Sequence, residues 1–102
     1  LRWIKGANAL IHAALREGFG LPLLEAVRMG TPVICAQSSV PSALRAHVQT
    51  FAPGDAEALA RAIERAVRGE MREPAARAKR ETAQLTWDRC AARTVEVYRR
   101  FL

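Results

Sequence analysis

Two short apolar runs, residues 9–14 (ALIHAA) and 31–36 (TPVICA), bracket a loop broken by glycines and a stretch long enough for one helix. The first run has no helical spacing, which suits a strand buried on both faces of a parallel sheet, although alanine is a weak strand former. Arg16-Glu17-Gly18-Phe19-Gly20 interrupts the pattern, and Leu21-Pro22 then opens a helix with proline tolerated in its first turn. Leu23, Leu24, Ala26 and Val27 supply that helix with its apolar side, and Gly30 stops it. Thr31-Pro32 leads into the second run at a position where proline costs no ladder donor. Strand, glycine loop, helix and strand in this order make a βαβ unit, which commits the chain to a layered α/β architecture.

The flanking residues extend the pattern. Trp3-Ile4-Lys5 reads as the end of a helix, with Gly6 taking the left-handed capping conformation. Residues 37–42 form a polar loop, a helical turn follows as far as Ala46, and residues 48–52 suit a third strand closed by Pro53-Gly54. Asp55 is placed to cap a helix whose Leu59, Ala62, Ile63, Ala66 and Val67 fall at i, i+3, i+4 spacing, ending at Gly69. A further helix is expected from Pro74 to about residue 85. Thr86 then caps a last one, with Asp88 well placed for the helix dipole and a stripe of Trp87, Cys90, Ala91, Thr94, Val97, Tyr98 and Phe101. The expected fold is a single unit over residues 1–102: a partial Rossmann-like α/β domain with a three-stranded parallel sheet, flanking helices and a helical C-terminal extension.

At 102 residues the chain supports one small core. Its net charge of +6 favours anionic partners, whether nucleic acid, a phosphate-bearing small molecule or an acidic lipid surface. Many of those charges, from Arg61 to Arg80, interleave with Glu57, Glu64, Glu70, Glu73 and Glu81, the pattern of a solvated helix face rather than a nucleic-acid stripe. Cys35 and Cys90 lack metal-ligand spacing and read as free, buried thiols. No run approaches the ~18–20 apolar residues of a membrane span, and the first residues lack a signal-peptide layout. A cytoplasmic location is expected, compatible with peripheral membrane contact. The start at Leu1 suits a fragment.

Chemistry concentrates between Glu17 and Glu25. Gly18 and Gly20 let a ligand approach the backbone, and the helix start at Leu21 offers N–H groups and partial positive charge to a phosphate or sugar oxygen. Glu25, near the first helical turn, has the reach to bind a pair of vicinal hydroxyls, and Glu17 in the loop can do the same for a sugar ring. The same residues also fit a plainer role, in which Glu25 complements the helix dipole, Glu17 is a solvated loop charge and the glycines serve the turn. His12, inside an apolar run, reads as a packing residue, and Trp87 and Tyr98 read as packing for the last helix rather than as stacking platforms.

The stretch from Glu17 to Ala26, followed by Gly30-Thr31-Pro32-Val33-Ile34, resembles the signature of family 4 retaining GT-B glycosyltransferases. The resemblance continues through Ser39-Val40-Pro41, Pro53, Thr86-Trp87 and Val97-Tyr98-Arg99-Arg100. The chain departs from the family at Ala13-Ala14, where Pro-Ser is usual, and at Pro41-Ser42, where Pro-Glu is common. The resemblance implies the C-terminal part of a nucleotide-sugar-binding domain, with the start of that domain and an acceptor domain preceding Leu1. It assigns Glu17 to the donor sugar as the catalytic-site carboxylate, Glu25 to the nucleotide ribose, and the backbone of Gly18, Phe19, Gly20 and Leu21 to sugar or diphosphate oxygens. It implies a nucleoside-diphosphate sugar as donor, transfer with retention, and no metal or other cofactor. The 102 residues alone are then expected to be inactive and to pair with the missing domain or with themselves through an open sheet edge. Two other classes stay open: a non-catalytic interaction module, and a basic nucleic-acid-binding module built on the C-terminal helices.

Overall fold

The computed structural model describes residues 2–14 and 20–102. Three short strands, β1 (Leu10–His12), β2 (Val33–Ala36) and β3 (Gln49–Phe51), form a parallel sheet in that order. Leu10 pairs with Val33 and His12 with Cys35, while Ile34 pairs with Gln49 and Ala36 with Phe51. Helix α1 (Arg2–Gly6) precedes β1, and α2 (Leu21–Arg28) crosses from β1 to β2. Two 3-10 turns, Gln37–Ser39 and Ser42–His47, lead into β3. Helices α3 (Ala56–Val67), α4 (Arg72–Glu81) and α5 (Trp87–Phe101) complete the chain. The α/β class and the three-stranded parallel sheet are those expected from the sequence.

The central strand organises the packing. All residues of β2 are buried, and the two-residue period of a strand sends alternate side chains to opposite faces. Val33 and Cys35 join Leu23, Ala26, Val27, Leu44 and Ala78 in one cluster, beneath α2 and α4. Ile34 and Ala36 join Phe51, Ala62, Ala66 and Met71 in the other, beneath α3. Removing a side chain such as Leu23 or Ile34 from water stabilises the fold by about 1.5–3 kcal/mol each. The second face is only partly covered. Ile11, aligned with Ile34 on the same face, is 45% exposed.

Local signals set most element ends. The Asp55 carboxylate accepts from the Ala58 N–H at 3.0 Å, and the Thr86 hydroxyl accepts from the Arg89 N–H at 3.1 Å, so both expected caps form. Gly30 and Gly69 adopt φ of 75° and 79° just past α2 and α3. Gly6 differs from expectation: it belongs to α1 and has no positive φ, because the chain continues the turn through it. Helix α4 begins at Arg72, two residues before the expected Pro74, since proline is accommodated within a first turn whose N–H groups have no intrahelical partner.

Packing departs from the sequence reading at the C-terminal helix and at one other apolar position, Val67. Cys35 is buried as expected, with its thiol beside the Ser39 hydroxyl at 3.4 Å, but Cys90 is exposed. Helix α5 buries no residue, so Trp87 and Tyr98 lie 75% and 64% exposed instead of packing it. Val67, expected on the packed side of α3, is also exposed, since it sits at the last position of the helix beyond the sheet-facing Ala62 and Ala66.

Candidate functional site at the start of α2

In an open parallel sheet, ligands bind at the carboxyl ends of the strands, where each loop delivers the start of the next helix. Here that edge carries the end of β1 at His12, the end of β2 at Ala36 and the start of α2. Gly20 holds the helix entrance. It is buried, with φ 76° and ψ 58°, a left-handed conformation that costs glycine little and other residues more.

The turn that follows determines what the helix can offer an anion. The Gly20 carbonyl accepts from the Leu23 and Leu24 N–H groups at 2.9 and 3.3 Å, and Pro22 carries no N–H. Gly20, at the N-cap, has no side chain with which to cap the helix. Leu21 is therefore the residue whose N–H falls outside the helical ladder in the first turn. Among the described residues the first turn thus leaves the Leu21 N–H as its open backbone donor, fewer than a generic helix start supplies.

Glu25 is the fifth residue of α2 and lies in the second turn, slightly deeper than expected. Too far along to complement the positive end of the dipole strongly, it stands four residues from Leu21, so the two share one side of the helix. Its side chain is exposed and enters no ion pair among the described residues, leaving the carboxylate on the same wall as Leu21. Of the expected site residues, Gly20, Leu21 and Glu25 are thus brought together on α2. Glu17, Gly18 and Phe19 lie outside the described residues.

Two further features carry little signal in the sequence. Arg28, one turn beyond Glu25, donates to the Leu85 carbonyl at 2.7 Å and ties α2 to the connection before α5. The signal for it was slight, a basic residue in the last turn of a helix. Between α2 and α5 runs an open trough of about 920 Å³ lined by Leu21, Leu24, Glu25, Trp87, Arg93 and Val97 among others. A smaller cavity of about 130 Å³, near His47, Gln49, Arg65 and Glu81, opens at the opposite edge of the sheet, before β2 and β3 begin, so it is remote from the start of α2.

The sequence profile of the glycosyl transferases group 1 matches residues 2–84. The chain belongs to the group 1 glycosyltransferase family. The match takes in the whole sheet, α2 and its entrance, and stops short of α5. An O-antigen chain mannosyltransferase B of Escherichia coli is 31% identical over 96 residues, covering 91% of this chain and 25% of that relative. A D-inositol 3-phosphate glycosyltransferase of Streptomyces bingchenggensis is 35% identical over 101 residues, 94% of this chain and 22% of the relative. A serotype-specific mannosyltransferase WbdA of Escherichia coli is 33% identical over 95 residues, 90% of this chain and 12% of the relative. The group 1 chain thus spans a quarter or less of the length of these relatives. No solved structure matches it.

No described helix is long and apolar enough to cross a membrane. Among the described residues, no group of three or more His, Cys, Asp or Glu side chains could hold a metal ion. Along α3, Arg61 and Arg68 lie 4.0 and 3.9 Å from Glu57 and Glu64, each one turn away, as the interleaved charges suggest.

Proposed function

We propose that this group 1 chain is the C-terminal part of the donor-binding domain of a GT-B enzyme of family 4, which transfers a sugar with retention from a nucleoside diphosphate. The observation that carries the reading is the entrance to α2, where left-handed Gly20 places the Leu21 backbone and the exposed Glu25 carboxylate on one wall at the carboxyl edge of the sheet. Glu25 accepts hydrogen bonds from the two ribose hydroxyls. The backbone of Gly18, Phe19, Gly20 and Leu21 holds sugar or diphosphate oxygens, and Glu17 binds the donor sugar beside its reacting carbon.

In the transfer, the bond from the anomeric carbon to the diphosphate oxygen breaks and a bond to an acceptor oxygen forms on the same face. The leaving diphosphate oxygen takes up the electron pair and then the proton released by the acceptor hydroxyl. Its negative charge is stabilised by backbone dipoles and basic side chains, without a metal. The acceptor is held by a separate domain of a longer polypeptide, in keeping with relatives four or more times as long as the aligned stretch. The relatives' names support sugar transfer, with mannosyl transfer in two of them. The enzyme works in the cytoplasm.

Calorimetric titration with UDP, GDP and ADP sugars tests the site. One nucleotide class binds, and Glu25→Ala, by removing a charged partner of two hydroxyls, weakens that binding by about tenfold or more. Equal affinity in the variant would remove Glu25 from the donor site.

A further inference from the structure

The cavity of about 130 Å³ at the amino edge of the sheet lies between the starts of β2 and β3 and the connection from α3 to α4. Helices α3 and α4 cover opposite faces of the sheet, so the chain that joins them passes under this edge, and its Met71 forms part of the wall. The polar part of the wall comes from His47, Gln49, Arg65, Arg77 and Glu81, supplied by the second 3-10 turn, β3, α3 and α4. Every lining residue falls between Val27 and Glu81, inside the stretch that the family profile matches. The entrance to α2 is at the other end of the strands, so a domain seated at the carboxyl edge lies away from this cavity.

The two arginines stand in different states. Arg65 Nη1 donates to Gln49 Oε1 at 3.1 Å, and Arg65 Nε lies 3.6 Å from Glu70 Oε2. These partners orient the guanidinium and still leave it N–H groups at Nη1 and Nη2, since arginine carries five donors. Arg77 is exposed on α4 and enters no ion pair or hydrogen bond among the described residues. Glu81 is the one acid on the wall, and His47 faces it, with Nδ1 3.5 Å from Glu81 Oε2. One guanidinium held in place and one unengaged present the planar donor forks that oxyanions accept. The volume, well under the roughly 300 Å³ of the smaller drug-sized ligand pockets, suits a single charged group and not a nucleotide.

We propose that this cavity binds a small tetrahedral oxyanion, either inorganic phosphate or the phosphate group of a larger molecule, between Arg65 and Arg77. The inference stands apart from the sugar-donor reading, because the two sites share no residue and lie at opposite ends of the strands.

The test is an amide NMR titration of the chain with sodium phosphate, against sodium chloride at matched ionic strength. Phosphate shifts the signals of His47, Gln49, Arg65 and Arg77 saturably, with a dissociation constant of about 1 mM, and chloride does not. Arg77→Gln weakens phosphate binding by about tenfold, the loss of one charged hydrogen-bonding partner. It keeps the parent melting temperature in the absence of phosphate, because the side chain is exposed and unbonded. Arg77→Lys, which retains the charge without the fork, falls between the two. Arg65→Gln also weakens binding but gives up the contacts to Gln49 and Glu70, so Arg77→Gln is the decisive variant. Glycerol 2-phosphate separates the sources: binding as tight as that of phosphate identifies the phosphate group of a larger molecule, and rejection identifies the free ion. Absence of saturable shifts, shifts that chloride reproduces, shifts centred on Leu21, or an unchanged affinity in Arg77→Gln overturns the proposal.

Discussion

At the scale of single residues, the proposed donor site depends on Gly20 for conformation and, in our reading, on Glu25 for recognition. Gly20 sits at φ 76°, so Gly20→Ala places an L side chain in the left-handed region at a cost of about 1–2 kcal/mol. A domain of this size should melt several degrees lower, and calorimetric binding of the donor should weaken as the Leu21 N–H moves with the turn. Glu25 lies exposed on the helix, so its substitution should change binding and leave melting unchanged. Glu25 could be found in the sequence because a carboxylate eight positions after Glu17, inside a helix that starts at Leu21-Pro22, stands out from ordinary solvated charge. Its depth in the second turn was less legible, since the helix start depends on which carbonyl receives the first N–H groups. Gly6 shows the limit of residue-level inference. A glycine after three helical residues can end a helix or continue it, and only the backbone around it decides.

At the scale of elements, caps and periodicity carried most of the information. Helix α3 was legible because Asp55, the apolar spacing and Gly69 agree, and the Asp55 carboxylate does bind the Ala58 N–H. Asp55→Ala should therefore cost about 1 kcal/mol in chemical denaturation, with an unchanged dependence on denaturant concentration. The strands were legible as apolar runs, but their ends were not. Only three or four residues of each find ladder partners, and the neighbouring Ala9, Thr31 and Ala52 have the same composition as residues that do. Helix α5 displays the opposite case. Its stripe correctly indicated a helix with one apolar face, yet periodicity says nothing about what covers that face. Trp87, Cys90 and Tyr98 were therefore assigned to packing that the fold does not provide.

At the scale of the molecule, the two faces of β2 explain why the βαβ pattern was decisive. A fully apolar four-residue strand needs cover on both sides, and α2 with α4 on one face and α3 on the other provide it. The exposed Ile11 on β1 marks where cover thins at the edge of the sheet. The family match shows a group 1 glycosyltransferase, the coarser part of what the Glu17 to Glu25 signature suggests, and the chain spans a quarter or less of the length of its relatives. We propose that the entrance to α2 binds a nucleoside-diphosphate sugar. The most direct test is an amide NMR titration of the chain with UDP, GDP and ADP sugars, following every residue from His12 to Arg28. One nucleotide class should shift signals that cluster at Gly20, Leu21 and Glu25, together with those of Glu17 to Phe19, and these shifts should vanish in Glu25→Ala. A dispersed, folded spectrum indifferent to every nucleotide, or shifts centred on the cavity near His47 and Arg65, would contradict it.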